Sequence, residues 1–350
     1  MKCEFDPYVP GPNYLWFEPV EDDQVIGFNG INSTVEYSFD KQNWQEFEYD
    51  EDGAIMVTVP YGTKIYCRGI NPDGVRSTDL IDESDWSTDT FWGDGLSIWN
   101  IGGDIMTLID YTDPDLDTMV GTFYSLFSQG TDHFVDLYHT NDLILSADVL
   151  SDRCYVEMFS ESSNLELAPD LPATTLAQSC YSNMFSGCTS LTTAPELPVT
   201  TLAQSCYSNM FNGCTSLTTA PDLPATTLAT DCYSSMFHGC TNLTTAPDLP
   251  AITLASYCYS NMFNGCTSLI EAPELPATTL ASYCYSAMFY NCPNLNYIKC
   301  LATDISATDC TRYWVSGVSS TGTFIKNSSM SSWIIGSSDG IPSNWTVQNA

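Results

Sequence analysis

The stretch Cys206–Leu217, CYSNMFNGCTSL, decides how the chain is read. It returns almost unchanged at 180–191 and 258–269. Its two cysteines stand eight residues apart and never form Cys-x-x-Cys. Extending outward, Cys154, Cys180, Cys206, Cys232, Cys258, Cys284 and Cys310 follow one another at 26 residues. A second column, Cys188, Cys214, Cys240, Cys266 and Cys292, keeps the same period, and the two columns hold 12 of the 15 cysteines. Leu165, Leu191, Leu217, Leu243, Leu269 and Leu295 form another column, as do Phe159, Phe185, Phe211, Phe237, Phe263 and Phe289. A fixed period of this length predicts stacked coils, each unable to bury its apolar face alone.

Within one coil, LAQSCYSNMFNGC predicts a short helical turn. Leu202, Cys206 and Met210 lie at i, i+4, i+8, with Ala203, Tyr207 and Phe211 beside them. Gly213 is a natural stop. The following CTSLTTAPDLP is extended, and Pro221 and Pro224 limit it to a short strand. Stacking puts like columns in register, about 4.8 Å apart if strand spacing applies. Metal binding would need four ligands converging, whereas columns supply a line. Disulfides between neighbouring coils would have to pair alternately, leaving one of seven over. Small buried thiols filling an internal column fit best.

The motif MFxGCTSLTTAPxLPATTLA, together with the tail NYIKCLATDISATDC…WVSGVSSTGTF…GIPSNWTVQNA, resembles the repeat of BspA-like leucine-rich-repeat proteins. These are surface and adhesin-type proteins of gut and oral bacteria, and similar chains are carried by phages of gut bacteria. The resemblance covers about 120–350. It implies a right-handed leucine-rich-repeat solenoid used for recognition or adhesion, with no catalytic residues and no cofactor.

The expected fold is therefore mainly β with short helices. Residues 1–75 form a small antiparallel β-sandwich-like module, with a barrel as the alternative. Residues 76–120 are a linker, junction and N-terminal cap, 121–315 the solenoid, and 316–350 a C-terminal cap. The β reading of the first module rests on period-two alternation at Val35, Tyr37 and Phe39, at Phe47 and Tyr49, at Ile55, Val57 and Val59, and at Ile65 and Cys67. Residues 71–85 read as an acidic linker. TFYSLFSQG at 122–130 is a worn copy of the repeat, since Phe127 precedes Phe159 by 32 residues rather than 26.

Charge excludes some partners. The chain has 43 acidic and 9 basic residues, net −34, and the first 150 residues carry −24 of that. Such a surface repels phosphate backbones and anionic lipid, so nucleic acid and membrane insertion are not expected. No run reaches the roughly 18 apolar residues of a spanning helix. The start MKCEFDPYVPGPNYLWF lacks the apolar core of an export signal.

Candidate sites are few. Asp113, Asp115 and Asp117 alternate as in a calcium loop, but Thr118 and Tyr124 stand where an EF-hand needs Gly and Glu. The column Asp170, Glu196, Asp222, Asp248, Glu274 reads as a solvated edge. Neither a nucleophile elbow, a phosphate loop nor a His-Glu-x-x-His motif occurs, and no enzyme is expected. Copies within one chain can be compared with each other. Three columns drift while the core columns stay fixed: Ser179, Ser205, Asp231, Tyr257, Tyr283; Asn183, Asn209, Ser235, Asn261, Ala287; and Ser186, Asn212, His238, Asn264, Tyr290. Their offsets put them on one outward face. Asp231, His238, Tyr257, Tyr283 and Tyr290 are the candidate partner-binding residues, with aromatics gathering in the later copies.

The functional expectation is a non-enzymatic recognition or adhesion protein: a peripheral phage virion component of tail-fibre or receptor-binding type. It would assemble in the host cytoplasm beside other virion proteins and contact a host-surface protein or glycan. The alternatives are a bacterial cell-surface adhesin and a structural virion decoration without a ligand. A homo-oligomer is left open, because virion fibres are often trimers.

Overall fold

The computed structural model describes residues 13–29, 34–50, 53–71, 75, 90–92, 98–110, 121–128, 136–330 and 333–350. The aspartate loop 113–117 and nearly all of the acidic stretch 71–85 lie outside the described residues. The chain is mainly β, with one four-residue helix, Thr107–Asp110, among the described residues.

The N-terminal strands are β1 (Leu15–Pro19), β2 (Gln24–Asn29), β3 (Val35–Ser38), β4 (Gln45–Glu46), β5 (Tyr49–Asp50), β6 (Gly53–Ala54), β7 (Val57–Val59), β8 (Ile65–Gly69), β9 (Thr90–Trp92), β10 (Ile98–Asp104) and β11 (Asp136–Ile144). A six-stranded sheet runs in the order β11-β10-β1-β8-β3-β4, and a three-stranded one in the order β7-β2-β9. Neither sheet closes, so the barrel alternative does not hold. Phe17 of β1 meets Phe91 of β9 at 4.7 Å, which joins the two sheets through a common core. Alternation holds in β8, where Ile65 and Cys67 are buried, but Phe39 and Ile55 are exposed at 46% and 44%. Phe39 lies just beyond β3, in the bends that follow it, where the period-two rule no longer applies. The stretch 76–120, expected as linker and cap, supplies strands β9 and β10. β10 pairs antiparallel with β1 and parallel with β11.

β11 is the joint to the repeats. Its His139 bridges Leu167, and Leu167 bridges Thr193, both in parallel sense. The parallel bridging then recurs at Thr219↔Thr245 and Glu271↔Tyr297. From there β12 (Tyr297–Cys300), β13 (Gly322–Lys326) and β14 (Trp345–Asn349) form a parallel sheet. The earlier copies make only single bridges where a short strand was expected, and the prolines explain it. Pro221 and Pro224, like Pro273 and Pro276, carry no N–H for a ladder. One period on from Pro273 and Pro276 stand Lys299 and Ala302. A real strand, β12, appears there.

The helical turns expected in each copy are absent, and a different backbone takes their place. Residues 203–214 form overlapping turns. Cys206, Ser208, Met210, Asn212 and Cys214 donate their N–H to the carbonyl three residues back. The N–H groups of Ser205, Tyr207, Asn209, Phe211 and Gly213 instead reach the next copy, at Thr230, Cys232, Ser234, Met236 and His238. Every backbone donor from Ser205 to Cys214 is used, alternately within and between copies. Ser205, Asn209 and Gly213 have positive φ, at 54°, 55° and 74°. A positive φ every fourth residue gives a winding of period four rather than 3.6. Cys206 and Tyr207 are buried, Ser208 and Asn209 half-exposed, Met210 and Phe211 buried, Asn212 and Gly213 half-exposed, and Cys214 buried. In an α-helix the row Leu202, Cys206, Met210, Cys214 would drift about 40° at each step. Here it stays on one side.

Aromatic columns make the centre. Tyr155, Tyr181, Tyr207, Tyr233 and Tyr259 stack at 5.7 to 5.9 Å. Phe127, Phe159, Phe185, Phe211, Phe237, Phe263 and Phe289 stack at 5.5 to 5.8 Å. Phe127, in the worn copy, also touches Phe17 and Phe91, so the phenylalanine column runs into the N-terminal core. At the other end both columns stop on one residue. The Trp314 indole lies 6.3 Å from Tyr285 and 6.4 Å from Phe289, and Trp333 stacks on it at 5.5 Å. Burial of each such ring contributes about 1.5–3 kcal/mol.

Candidate functional site

The cysteine columns lie inside. All fourteen described cysteines are buried free thiols. In the second column each S–H donates to the carbonyl of the phenylalanine in the preceding copy: Cys188 to Phe159, Cys214 to Phe185, Cys240 to Phe211 and Cys266 to Phe237, all at 3.1 Å. Those carbonyls are thereby satisfied twice, since Phe185 O also takes the Cys188 N–H. Burial pushes the Cys206, Cys240 and Cys258 thiols up to about 12. They stay protonated, and a protonated thiol is neither nucleophile nor metal ligand. No group of three or more metal-ligating side chains occurs among the described residues.

The outward part of the turn ladder carries the drifting columns, and all five candidate residues fall on it. Tyr257 and Tyr283 stack on one another at 4.5 Å, with planes 4° apart. The Tyr283 phenol is hydrogen-bonded to Asp309, which raises its pKa. Asp309 also faces Arg312 at 3.6 Å, and the Arg312 guanidinium lies 5.1 Å from the Tyr313 ring. Tyr290 stands on the neighbouring line and walls a cleft of about 430 Å³. Asn261, Asn264, Ala287, Tyr313 and Ser316 complete it. Asp231 and His238 belong to an earlier copy and do not line the cleft. Burial raises the Asp231 carboxyl and lowers the His238 imidazole, whose Nδ1 lies 3.0 Å from the Asn212 side-chain oxygen. Tyr313, Asp309 and Ser316 are not on the candidate roster. Extending each drifting column one more period reaches all three.

Backbone conformation sets this corner apart from the middle copies. The first two drifting columns are the left-handed positions of the ladder. The copies after the first fill them with Ser179, Asn183, Ser205 and Asn209, at φ near 55°, while the first has Arg153 at 59° and Glu157 at 57°. Asparagine tolerates that region, whereas bulky side chains rarely adopt it. The late copies place Tyr257 at 59°, Tyr283 at 57°, Tyr313 at 54° and Ala287 at 49°. Each costs about 1–2 kcal/mol relative to a permissive residue. Asn183, Asn209 and Asn261 also donate to the neighbouring serine hydroxyl at 3.1 to 3.3 Å, and Ala287 gives up that bond to Ser286.

The acidic column is exposed throughout, and its last member, Glu274, pairs with Lys299 at 2.8 Å. A second cleft, of about 660 Å³, opens on the N-terminal module beside Phe39, Lys64 and Tyr66. Its Lys64 ammonium already sits 3.2 Å over the Trp16 ring. Among the described residues no helix is long and apolar enough to cross a membrane. Comparison with protein-family models, curated proteins and solved structures finds no match.

Proposed function

We propose that this chain is a non-enzymatic recognition protein whose repeats, 121–315, form a right-handed leucine-rich-repeat solenoid of the BspA-like kind. It acts as a peripheral phage virion component, of tail-fibre or receptor-binding type, and meets a host-surface ligand through the outer face of its turn ladder. One observation carries the reading: the late copies accept strained tyrosines at Tyr257, Tyr283 and Tyr313 where the middle copies hold small polar residues, the first copy carrying Arg153 and Glu157 there. Strained residues that cluster on one surface mark sites where the side chain matters more than the fold. Around Tyr257 and Tyr283 the buried columns keep their residues, so there the change belongs to the exterior.

The test is binding of the fluorescently labelled full chain to a panel of gut-bacterial cells. Wild type is expected to decorate some strains, and the double variant Tyr257→Ser, Tyr283→Ser to lose most of that signal while keeping its unfolding temperature. Undiminished decoration by the double variant removes this face from the function. Immunogold labelling then distinguishes the location: gold on phage particles supports a virion component, gold on the producing cell's envelope a bacterial adhesin.

A further inference from the structure

We propose that the cleft between Tyr290 and Tyr313 is a seat for one neutral pyranose unit of a surface glycan. The inference rests on the recognition reading above and adds the class of ligand. Four features of the cleft point to it. Its volume, about 430 Å³, is in the range of small-ligand sites. Two tyrosine rings stand at its walls, and a pyranose presents a flat C–H face that stacks on such rings. Asn264 Nδ2 donates to Asn261 Oδ1 and Asn261 Nδ2 to Ser260 Oγ, both at 3.1 Å, which leaves each amide a second N–H and an oxygen lone pair for adjacent hydroxyls. No charged side chain lines it, although the chain carries −34 overall. Arg312, next in sequence to Tyr313, faces Asp309 at 3.6 Å.

The backbone disfavours the main rival, an extended peptide added as a strand. Peptides that add to a surface do so through main-chain hydrogen bonds. On this floor the N–H groups are taken: Asn261 donates to Ser286, Ala287 to Arg312, Asn264 to Asn261 and Tyr290 to Ala287. No N–H of these four residues remains for a strand to pair with. The floor also shows a substitution with no other use in the fold. Ala287 occupies a left-handed position where Asn183, Asn209 and Asn261 stand in other copies, and it forgoes their hydrogen bond to serine. Ala287 lines the cleft without that amide.

The experiment titrates the full chain by calorimetry with the methyl glycosides of glucose, galactose, mannose and N-acetylglucosamine. N-acetylneuraminic acid and tetramethylammonium chloride serve as anionic and cationic counter-probes. One neutral glycoside is expected to bind in the millimolar range. Tyr290→Ala and Ala287→Asn should each weaken it at least about tenfold. Ala287→Asn restores the residue of three other copies, so its unfolding temperature should hold or rise, and lost binding cannot be lost folding. No binding by any neutral glycoside, binding that survives both substitutions, or preference for either counter-probe overturns the proposal. Cell decoration that Ala287→Asn abolishes but no glycoside competes away also overturns it, while leaving the recognition reading intact. Glycoside binding sensitive to Ala287→Asn, in a chain that decorates no cells, supports the seat and removes the host-contact reading.

Discussion

The copies around Cys206 and around Cys284 have the same inside and different outsides. Both bury a cysteine, a tyrosine, a methionine, a phenylalanine and a second cysteine in the same order. Outside, Ser205, Asn209 and Asn212 in the one face Tyr283, Ala287 and Tyr290 in the other. The difference shows which constraint each position obeys. An inner side chain must match the residue above and below it, so a change in one copy is a mismatch in two. An outer side chain answers only to its own backbone angle and to whatever approaches from solvent.

Breaking the inside should have the largest effect. Phe211→Ala removes a ring stacked on both Phe185 and Phe237, and should cost about 3–5 kcal/mol in chemical denaturation. A cost near zero would mean that the column is not what holds the copies together. Next in size is Cys214→Ala, which takes the second donor from the Phe185 carbonyl and leaves a small void; about 1–2 kcal/mol is expected. Thiol accessibility checks the same column independently. Iodoacetamide should label none of the fourteen described cysteines in the native chain and all of them in guanidinium, read by intact mass. Sharpening the contrast from the outside, Tyr257→Asn should raise stability by about 1 kcal/mol, because asparagine suits a φ of 59° and tyrosine does not. A loss instead would show that the stack on Tyr283 outweighs the strain. The smallest effect concerns His238. Burial lowers its folded pKa below the ordinary 6.5, so the unfolded chain binds the proton first as pH falls. Its contribution to stability is therefore intact above 6.5 and declines as the pH drops below it. His238→Asn, the residue at positions 212 and 264, should flatten that part of the stability profile relative to wild type.

Much of the interior was legible from spacing alone. Residues at 26 intervals that never vary must meet their own kind, and the leucine, phenylalanine and cysteine columns are buried where the period put them. The backbone of the turns was misread for a physical reason. A pattern of two in and two out satisfies i, i+4 just as an amphipathic helix does over a short window. The clue was in the outer residues. Asn209 and Gly213, like Asn183 and Gly187, stand four apart, and both types favour positive φ, which a helix interior has no place for. Strands β9 and β10 were missed because their Trp and Gly residues lack alternation. The cleft was half visible. Tyr290, Asn261 and Ala287 drift within recognisable copies, but Tyr313 and Ser316 sit where the motif itself has decayed.

Trp314 closes both aromatic files with a single indole, and Phe127 opens the phenylalanine file from the N-terminal core. Start and stop are thus each written once, and everything between them is interchangeable text. A gene of this design can gain or lose a 26-residue segment by recombination between near-identical stretches, and neither terminus would register the edit. Length then becomes an inherited variable, separable from the residues that begin and end the stack.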